Sequence, residues 1–385
     1  MFLDHNAGGR VRPEVAERLS ELLRSPLANP SSLHAAGRRT RALVEEARES
    51  VAELVGAHAS EVVFTSGGTE ANNLAILGAA AEAAHLVSTS IEHASVLRAL
   101  EGAEAAGATV SILSPGSDGA VAAGEIVAAI RGETALVSIG WVNGEIGVIQ
   151  PIGEIVRGVR AASNRVRVHA DAVQAIGLLD VDVAAADLDL ASLSGHKIGA
   201  PAGVGALVLR RGTTLRPLLH GGPHERERRS GTENVLGIVG FGLAARLART
   251  ERAAFRERAA AIKTKIGKAL AASARPAVRL DPADAVPGTL SVSFPDLRGD
   301  ALAAALDLRG VAVSTGSACA AGAPEPSHVL RALGCSEEVA RGTIRLSFGP
   351  ELSLEDAEQA ARIIVEVVGA ARARRQGESG AGRAA

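Results

Sequence analysis

The stretch Leu188-Asp189-Leu190-Ala191-Ser192-Leu193-Ser194-Gly195-His196-Lys197 joins an apolar, strand-like run to a short polar turn. Lys197 therefore stands at the end of a strand, with a serine, a glycine and a histidine directly before it. A lysine amine in this setting can form a Schiff base with a carbonyl cofactor, and the neighbouring polar side chains are suited to meet a phosphate. A lone lysine is usually a solvated surface residue, but the strand-end setting favours a catalytic role.

Short apolar strands alternate with helical segments on both sides of this stretch, from Pro13 to about residue 210. The predicted strands are 61–65, 86–89, 109–113, 135–139, 165–169, 188–193 and 204–209. One alanine-rich helical segment, 38–55, ends at Gly56, a typical signal for a helix C-terminus. Alternation of this kind with nearly continuous apolar strands predicts an α/β fold with a mostly parallel sheet covered on both faces. Ligands of such sheets collect at the carboxyl ends of the strands.

The sequence changes character after Thr232. A long helical segment, roughly 235–272, leads into a set of shorter elements. These are predicted strands 289–294, 311–314 and 343–348 and predicted helices 299–309 and 354–374. We interpret residues 13–250 as a large cofactor-binding domain, and residues 1–12 with 251–375 as a smaller α+β domain. Residues 376–385, rich in Gly, Ala and Ser, are predicted to be a disordered tail.

Composition excludes several classes of protein. The 385 residues carry a formal net charge of -2 and are 47% hydrophobic and 2% aromatic, so binding to nucleic acid or to a membrane surface is not expected. Cys319 and Cys335 are too few for a disulfide framework and fit a reducing compartment. The first residues lack signal-peptide features, and no apolar run approaches the ~20 residues of a membrane span. We therefore expect a cytoplasmic protein.

Other motifs also follow predicted strands. Glycines and free N–H groups in SGGTE (66–70) could bind phosphate, although a plain glycine-rich turn is the alternative. In the segment HADAVQ, Asp171 could pair with a protonated pyridine nitrogen and Gln174 with a phenolic oxygen, or Asp171 could simply cap a helix. His93 could stack on a flat cofactor and move protons, or merely cap or pack. His169 has no second histidine or cysteine at ligand spacing, so no metal site is predicted.

Two residues of the second half have distinctive surroundings. Arg345 lies in an apolar strand, where a buried guanidinium needs an anion such as a substrate carboxylate; the alternative is an edge strand with the arginine in water. Cys319 is surrounded by small residues, which indicates an accessible loop and a thiol that can reach into a site. Cys335 is typical of a small packed residue.

Together these motifs resemble the pyridoxal-phosphate-dependent cysteine desulfurases of the NifS/IscS type, within the class V aminotransferase-like group. The similarity covers about residues 2–370. The motifs that carry it are SGGTE (66–70), EH (92–93), EIG (145–147), HADAVQ (169–174), SGHK (194–197), HER (224–226), RSGTEN (229–234), GSAC (316–319) and PSHVLRALG (326–334). Any one of them is modest evidence, whereas all of them in family order are highly specific. The resemblance implies an aminotransferase-like fold of type I, with a seven-stranded sheet.

The resemblance also implies roles for individual residues. It makes Lys197 the Schiff-base lysine, His93 the histidine stacked on the ring and Cys319 the thiol that takes up sulfur. Further residues are assigned to the pyridine nitrogen (Asp171), the phenolic oxygen (Gln174), the phosphate (Gly68, Thr69, Ser194 and His196), the phosphate of the other subunit (Thr232) and the substrate carboxylate (Arg345). The implied activity converts L-cysteine to L-alanine, with pyridoxal 5'-phosphate as cofactor. A homodimer and a sulfur-acceptor protein, either scaffold or carrier, are the implied partners.

Two departures from the family pattern leave room for a slow enzyme or an altered substrate. The usual Ala-Thr-Thr-Pro is here Ala7-Gly8-Gly9-Arg10, and the usual Asn-Asn-Glu is Asn143-Gly144-Glu145. Asn143 is the residue expected to replace the missing substrate or cofactor contact, whose loss could cost ~1–3 kcal/mol. The alternatives are thus a related lyase or aminotransferase acting on another amino acid, or a weakly active sulfur-relay paralogue.

Overall fold

A seven-stranded sheet forms the centre of the larger part of the molecule. The structure, a computed structural model, describes residues 1–81, 83–315 and 326–381. From edge to edge the strands are Val62–Thr65 (β1), Gly205–Leu209 (β7), Leu190–Ser194 (β6), Arg167–Asp171 (β5), Thr134–Gly140 (β4), His85–Thr89 (β2) and Thr109–Leu113 (β3). β7 is antiparallel to both of its neighbours, and the other pairs are parallel. The predicted mostly parallel α/β sheet is confirmed.

Burial explains why these segments are strands. β1, β2, β6 and β7 are buried along their whole length, as expected when helices cover both faces of a sheet. The helices of this part are Pro13–Leu23 (α1), Ala35–Leu54 (α2), Gly68–Ala79 (α3), Ala94–Ala105 (α4), Ala123–Ala128 (α5) and Ile152–Ala162 (α6). α2 ends one residue before the predicted Val55, and Gly56 follows at φ 62°, a left-handed conformation that glycine adopts without strain.

A single long helix, Val235–Ser273 (α7), connects the two parts of the chain. It is continuous across residue 250, where we placed the division between domains, and that division stays a prediction. Beyond it lies a four-stranded antiparallel sheet in the order Ser314–Thr315 (β10), Thr343–Ser347 (β11), Thr289–Ser293 (β9) and Val278–Arg279 (β8). Its helices are Gly299–Asp307 (α8), His328–Ala332 (α9), Glu337–Arg341 (α10) and Leu354–Ala381 (α11).

Two predictions in this part are wrong. The predicted strand 311–314 is reduced to β10, and Ala312 makes an isolated bridge to Phe2 instead. The last helix passes its predicted end at residue 374 and continues to Ala381. The disordered tail at 376–385 stays a prediction. Local composition misses both, because pairing with a remote segment and propagation of an established helix are not encoded in a short window.

The first residues of the chain run between the two sheets. Phe2 pairs with Ala312 and Asp4 with Ser347, so the segment begins as an addition to the small sheet. It then crosses to the large sheet, where the Gly9 N–H donates to the carbonyl of His196 at 3.0 Å. We call residues 4–9 the N-terminal strap.

The described ranges contain neither a membrane-spanning helix nor a cluster of metal ligands. Among these residues, no helix combines the length and the apolar character that crossing a bilayer requires. Within the same ranges, no group of three or more His, Cys, Asp and Glu side chains is arranged to hold a metal ion.

Candidate active site

The candidate site lies at the carboxyl ends of the parallel strands. Asp171 is the last residue of β5, and Lys197 follows the neighbouring strand β6 in the short 3-10 turn Gly195–Lys197. β7 runs the opposite way, so its first residue, Gly205, lies at this same edge. A Cβ at Gly205 would stand 2.6 Å from the carbonyl carbon of Gly67, and its absence lets the glycine turn approach the sheet. The topology thus brings the predicted motifs to one edge.

The residues predicted to bind phosphate meet where α3 begins, and we call this group the cradle. A Cβ at Gly68 would lie 3.5 Å from the Cβ of Ser194 and 2.7 Å from Cγ2 of Val173, so the three motifs meet at this glycine. Gly68 and Thr69 begin α3, whose free N–H groups attract an anion. Ser194 Oγ lies 2.9 Å from Nδ1 of His196. The structure therefore brings together all four residues predicted to bind phosphate.

His196 is an uncharged member of this cradle. Burial, together with the smaller effects of the positive charges of Lys197 and His5, lowers its pKa to about 4. A neutral imidazole binds phosphate as a hydrogen-bonding group and adds no positive charge. The positive contribution at the cradle comes instead from the start of α3.

Asp171 is held in a fixed orientation by two donors. Oδ2 accepts a hydrogen bond from Nδ2 of Asn72 at 2.7 Å, and Oδ1 accepts one from the Val173 N–H at 3.0 Å. The same Asn72 amide donates to Ser95 Oγ at 2.9 Å, and Ser95 Oγ lies 2.7 Å from Nδ1 of His93. A hydrogen-bonded chain thus links the carboxylate at the end of β5 to the imidazole at the start of α4, by way of Asn72 on α3.

The chain of donors defines the tautomer of His93. Nδ1 accepts a hydrogen bond from the Ser95 N–H at 3.1 Å, at the position where His93 caps α4. An acceptor nitrogen carries no proton, so the neutral ring has its proton on Nε2. The alternative capping role is thus present in the structure, the capping contact uses Nδ1 alone, and the predicted stacking role stays a prediction.

Glu92, the residue before His93 in the chain, is a buried acid. Glu92 accepts a hydrogen bond from Thr89 Oγ1 at 2.5 Å. Burial raises the pKa of Glu92 to about 8, and the negative charge of Asp171 adds to this effect. Gly140 faces the acid, where a Cβ would stand 2.9 Å from Oε2 of Glu92. The acid is therefore largely protonated at neutral pH.

Lys197 points its amine at the N-terminal strap. Nζ donates to the backbone carbonyls of Asn6 and Ala7, the latter at 3.1 Å. On the other side of the strap, Nε2 of His5 lies 3.1 Å from the carbonyl oxygen of Lys197. The strap therefore contacts both the side chain and the backbone of the lysine.

Gln174 and Gly144 occupy adjacent positions. Nε2 of Gln174 donates to the carbonyl of Asn6 at 3.1 Å, so the amide predicted to meet a phenolic oxygen is shared with the strap. A Cβ at Gly144 would stand 2.9 Å from this Nε2. An asparagine side chain at position 144 would therefore take up space that Gln174 occupies.

Arg345 is buried in the centre of the small sheet. It lies on β11 between β9 and β10, and its side chain is 4% exposed, so the alternative of an edge strand with a solvated arginine is wrong. Nη2 pairs with Oδ1 of Asp4 at 2.8 Å, and Nη1 donates to the carbonyl of Gly144 at 3.2 Å. Nε is buried and has no partner among the described residues. Asp4 thus supplies the anion that the buried guanidinium required.

Asn143 uses its side chain to shape its own loop. Nδ2 donates to the carbonyl of Ile91 at 2.9 Å, and Oδ1 accepts from the N–H groups of Glu145 and Ile146 at 2.9 and 3.1 Å. The other N–H of the amide has no hydrogen bond to the described residues. The predicted contact between Asn143 and substrate stays a prediction.

The predicted sulfur-accepting residue, Cys319, lies outside the described residues, but both flanks of its segment are anchored at the site. On one side, Ser314 of β10 pairs directly with Arg345. On the other side, Ser327 Oγ donates to Glu145, and Nε2 of His328 contacts the carbonyl of Glu92 at 2.9 Å. Burial raises the pKa of Glu145 to about 7, against the opposing effects of Ser327, Arg345 and His93.

The segment predicted to serve a second subunit is clamped to the glycine turn. Arg229 forms an ion pair with Glu70, with 2.8 Å between Nε and Oε1, and Glu70 also accepts from the Ser66 N–H at 2.8 Å. Thr232, a few residues further on, is exposed, and its predicted contact with the phosphate of another subunit stays a prediction.

Five residues that shape the site were given no role by sequence reasoning: Asp4, Asn6, Asn72, Glu92 and Ser95. Asp4, Asn6 and Asn72 lie far along the chain from their partners, so no local spacing reveals them. Glu92 and Ser95 were adjacent to a recognised histidine, and a polar residue two positions after it was the available signal for a cap.

Comparisons with known proteins show the family to which the chain belongs. The family model described as Aminotransferase class-V matches residues 1–359. The chain is 45% identical over 376 residues to cysteine desulfurase IscS of Anaeromyxobacter sp. (strain Fw109-5), with 96% of this chain and 92% of that protein covered. It is 39% identical over 372 residues to cysteine desulfurase IscS of Methanosarcina thermophila, again with 96% and 92% covered.

Solved structures give the same result. A NifS-like protein matches with a TM-score of 0.90 at 34% identity, over 96% of this chain and 99% of that one. A structure described as SspA in complex with cysteine matches with a TM-score of 0.81 at 36% identity, over 91% and 99% of the two chains. The identities over nearly the full length place this chain in the class-V aminotransferase family, among its cysteine desulfurases.

Proposed function

We propose that this protein is an L-cysteine desulfurase that converts L-cysteine to L-alanine and holds the sulfur as a persulfide on Cys319. Similarity over 96% of the chain to proteins named cysteine desulfurase supports the reaction. The observation that carries the assignment is the meeting of Lys197, Asp171 and the glycine turn at one strand edge, because these groups suit one cofactor.

The residues present fit pyridoxal phosphate. The start of α3 with Ser194 and His196 offers donors to a phosphate, and Asp171 offers a buried carboxylate held by Asn72. Cofactors of this type supply an aldehyde that condenses with amines and a ring that accepts electrons. Asp171 would hold a proton on the ring nitrogen, Gln174 would donate to the phenolic oxygen, and His93 would lie against the ring face.

The chain's own residues provide the acid–base and binding groups. Lys197 is the base for the α-proton, because its amine is freed when the substrate amine takes its place. Arg345 binds the substrate carboxylate, with Nε, which has no partner among the described residues, as the available donor. His93, with its proton on Nε2, is placed to exchange a proton with substrate or lysine.

Sulfur leaves the substrate through the thiol of Cys319. The thiolate attacks the sulfur of cysteine, a new S–S bond forms, and the C–S electron pair stays with the carbon that becomes alanine after protonation. The anchored flanks at Ser314, Ser327 and His328 support this role, because they begin and end the cysteine segment beside Arg345 and Glu92. Cys335 is half-buried among apolar residues, and burial raises its thiol pKa, so it is unsuited to the task.

Partners and location complete the proposal. We infer a homodimer in which Thr232 reaches the phosphate of the other subunit, and a scaffold or carrier protein that receives the sulfur. The use of just two cysteines favours a reducing, cytoplasmic location. A different amino-acid substrate was motivated by Gly8, Gly9 and Gly144, and the close contacts at Gly9 and Gly144 now account for two of these glycines as packing requirements.

The test measures alanine and persulfide formation from L-cysteine by protein loaded with pyridoxal phosphate, under a thiol reductant. Lys197→Ala should remove both the visible absorbance of the lysine-bound cofactor and alanine formation. Cys319→Ala should remove persulfide and turnover, whereas the matched control Cys335→Ala should retain both. Undiminished turnover in Cys319→Ala would overturn the proposal, as would preferential turnover of a non-sulfur amino acid. Partner binding that survives Lys197→Ala without alanine formation by wild type would favour the sulfur-relay paralogue.

A further inference from the structure

The N-terminal strap contacts two residues to which the proposed function assigns chemistry. Asp4, at one end, pairs with Arg345, and the carbonyls of Asn6 and Ala7 accept from the amine of Lys197. Asp4, which contacts Arg345, precedes Asn6 by two positions and Ala7 by three. One short segment thus sets the relative placement of a group on the small sheet and a group on the large sheet.

Each N–H donor of Asn6, in the backbone and in the side-chain amide, forms a hydrogen bond with a described residue. Its N–H donates to Ser347 Oγ at 2.9 Å, and Nδ2 donates to the Gly144 carbonyl at 2.9 Å and to Thr289 Oγ1 at 2.8 Å. Asn6 is 8% exposed, so these bonds form away from bulk water, where an unmade one would be costly. The backbone at this residue is consequently held at one position.

The carbonyl of Asn6 is therefore a preorganised acceptor. It accepts hydrogen bonds from Nε2 of Gln174, at 3.1 Å, and from Nζ of Lys197. An ammonium group has three N–H donors, and two fixed carbonyls satisfy two of them without an ion pair. This arrangement suits a lysine that must be held when its amine is free and released when the amine becomes covalently bound.

Arg345 is oriented by the other end of the strap. Asp4 accepts a hydrogen bond from Nη2 of Arg345, and the Gly144 carbonyl accepts one from Nη1. The same carbonyl also accepts a hydrogen bond from Asn6 Nδ2. Of the guanidinium nitrogens, Nε is the one without a partner in the described ranges, and it is buried. Asp4 and Gly144 thus hold the Nη1 and Nη2 side of the guanidinium, and Nε is the nitrogen left for an incoming carboxylate.

We propose that the strap is a positioning element of the site: Asn6 docks the free amine of Lys197, and Asp4 orients Arg345 so that Nε receives the substrate carboxylate. The inference rests on the proposed function for the roles of Lys197 and Arg345. It adds that residues outside the recognised motifs hold both groups, and that the two are coupled through the Gly144 carbonyl.

The docking of Lys197 is tested on the full-length chain freed of cofactor, by competitive acylation followed by mass spectrometry. The exposed Lys268 serves as the internal reference. Asn6→Ala should raise the labelling of Lys197 relative to Lys268 at least threefold, because a mobile carbonyl no longer holds the amine. Gly8→Ala, a control in the same strap, should leave the ratio unchanged, since its Cβ would meet its nearest neighbour at 3.8 Å.

A second variant covers the case in which Asn6→Ala fails to fold. Thr289→Val removes the hydroxyl that accepts from Asn6 Nδ2 and keeps the side-chain shape, and it should raise the same ratio by a smaller factor. An unchanged ratio in a folded Asn6→Ala or Thr289→Val protein would overturn the docking role. This measurement needs no turnover, so its outcome is independent of whether L-cysteine is the substrate.

The orientation of Arg345 is tested by steady-state kinetics on the loaded enzyme. Asp4→Asn should raise KM for L-cysteine about tenfold and change kcat less than twofold, because carboxylate binding is affected and the chemical groups stay in place. Asp4→Glu, which restores the charge, should recover part of the loss. A fall in kcat at constant KM would contradict the proposal. Absence of alanine formation by wild type would instead refute the proposed function and leave the acylation result standing.

Discussion

The amide of Asn72 donates to Oδ2 of Asp171 at 2.7 Å, although the two residues are 99 positions apart in the chain. Asn72 lies on α3, one turn after Gly68 of the cradle, and Asp171 is the last residue of β5. The first turn of α3 therefore contains residues predicted to bind phosphate, and its second turn contains the asparagine that donates to the Asp171 carboxylate. This relationship aligns the two ends of the site, because any shift of α3 moves both.

Loss of the Asn72 amide should weaken cofactor binding. Asn72→Ala removes a hydrogen bond to a buried carboxylate, worth about 1–2 kcal/mol, which corresponds to roughly 5- to 30-fold in affinity. Equilibrium titration of the cofactor-free protein with pyridoxal phosphate measures the change. The control is Asn73→Ala, one residue further along the same helix, whose amide donates to the carbonyl of Thr69. Equal affinities for both variants would show that Asn72 does not support Asp171.

The two glycines of the strap should respond differently to alanine. A Cβ at Gly9 would stand 2.9 Å from the carbonyl oxygen of His196 and 2.7 Å from Cε1 of His5, whereas at Gly8 the nearest atom is 3.8 Å away. We expect Gly9→Ala to destabilise the protein by about 1–3 kcal/mol through overpacking, and Gly8→Ala to be nearly neutral. Thermal denaturation of the matched pair measures the difference. Equal melting temperatures would mean that the strap can shift at no cost.

A buried ion pair holds the segment that begins at residue 224. Arg48 donates to both carboxylate oxygens of Glu225 at 2.7 and 2.8 Å, and Oε2 also accepts from the Phe64 N–H at 2.8 Å. Removing one partner of such a pair leaves an uncompensated buried charge, at a cost of about 3–5 kcal/mol.

Arg48→Met and Glu225→Gln should therefore each lower the thermal midpoint strongly, and the double variant should lose less than the sum of the two. The exposed pair Arg98–Glu101 provides the comparison, where Arg98→Met should change the midpoint little. Strict additivity of the two buried substitutions would argue against direct coupling.

Stability should fall as the pH rises towards 8, because of Glu92. Its pKa is raised from 4.5 to about 8 in the folded protein, so between these values the folded state holds a proton that the unfolded state has lost. Unfolding then releases a proton, and a higher pH favours it. The contribution is fully present below about pH 4.5 and is lost as the pH passes 8.

Glu92→Gln should flatten this dependence, because an amide does not titrate. Thermal midpoints of wild type and variant at pH 6 and pH 8 measure the effect, and the fall between the two pH values should be smaller in the variant. Glu101→Gln, on the exposed face of α4, should retain the wild-type dependence. An unchanged slope in Glu92→Gln would assign the titration to other groups, such as Glu145, whose pKa burial raises to about 7.

The local sequence determined the elements and the reacting groups of this protein. The continuous apolar runs predicted the strands of the large sheet, because a strand buried on both faces must be apolar throughout. Lys197, Asp171 and the glycine turn were recognisable because each directly follows or ends such a strand, where ligands of parallel sheets bind. Chemistry of this kind is encoded in residue type and strand-end position, so it can be read without coordinates.

Tertiary structure alone decided how these groups are held. Asn72 on Asp171, Asp4 on Arg345 and Asn6 at Lys197 are contacts between residues at least 99 positions apart, which only the arrangement of strands and helices brings together. The same holds for Gly144, whose departure from the family pattern looked like a lost contact and proved to be space for Gln174. Hydrogen bonds depend on distances of a few ångström between side chains, and sequence separation carries no information about those distances until the chain has folded.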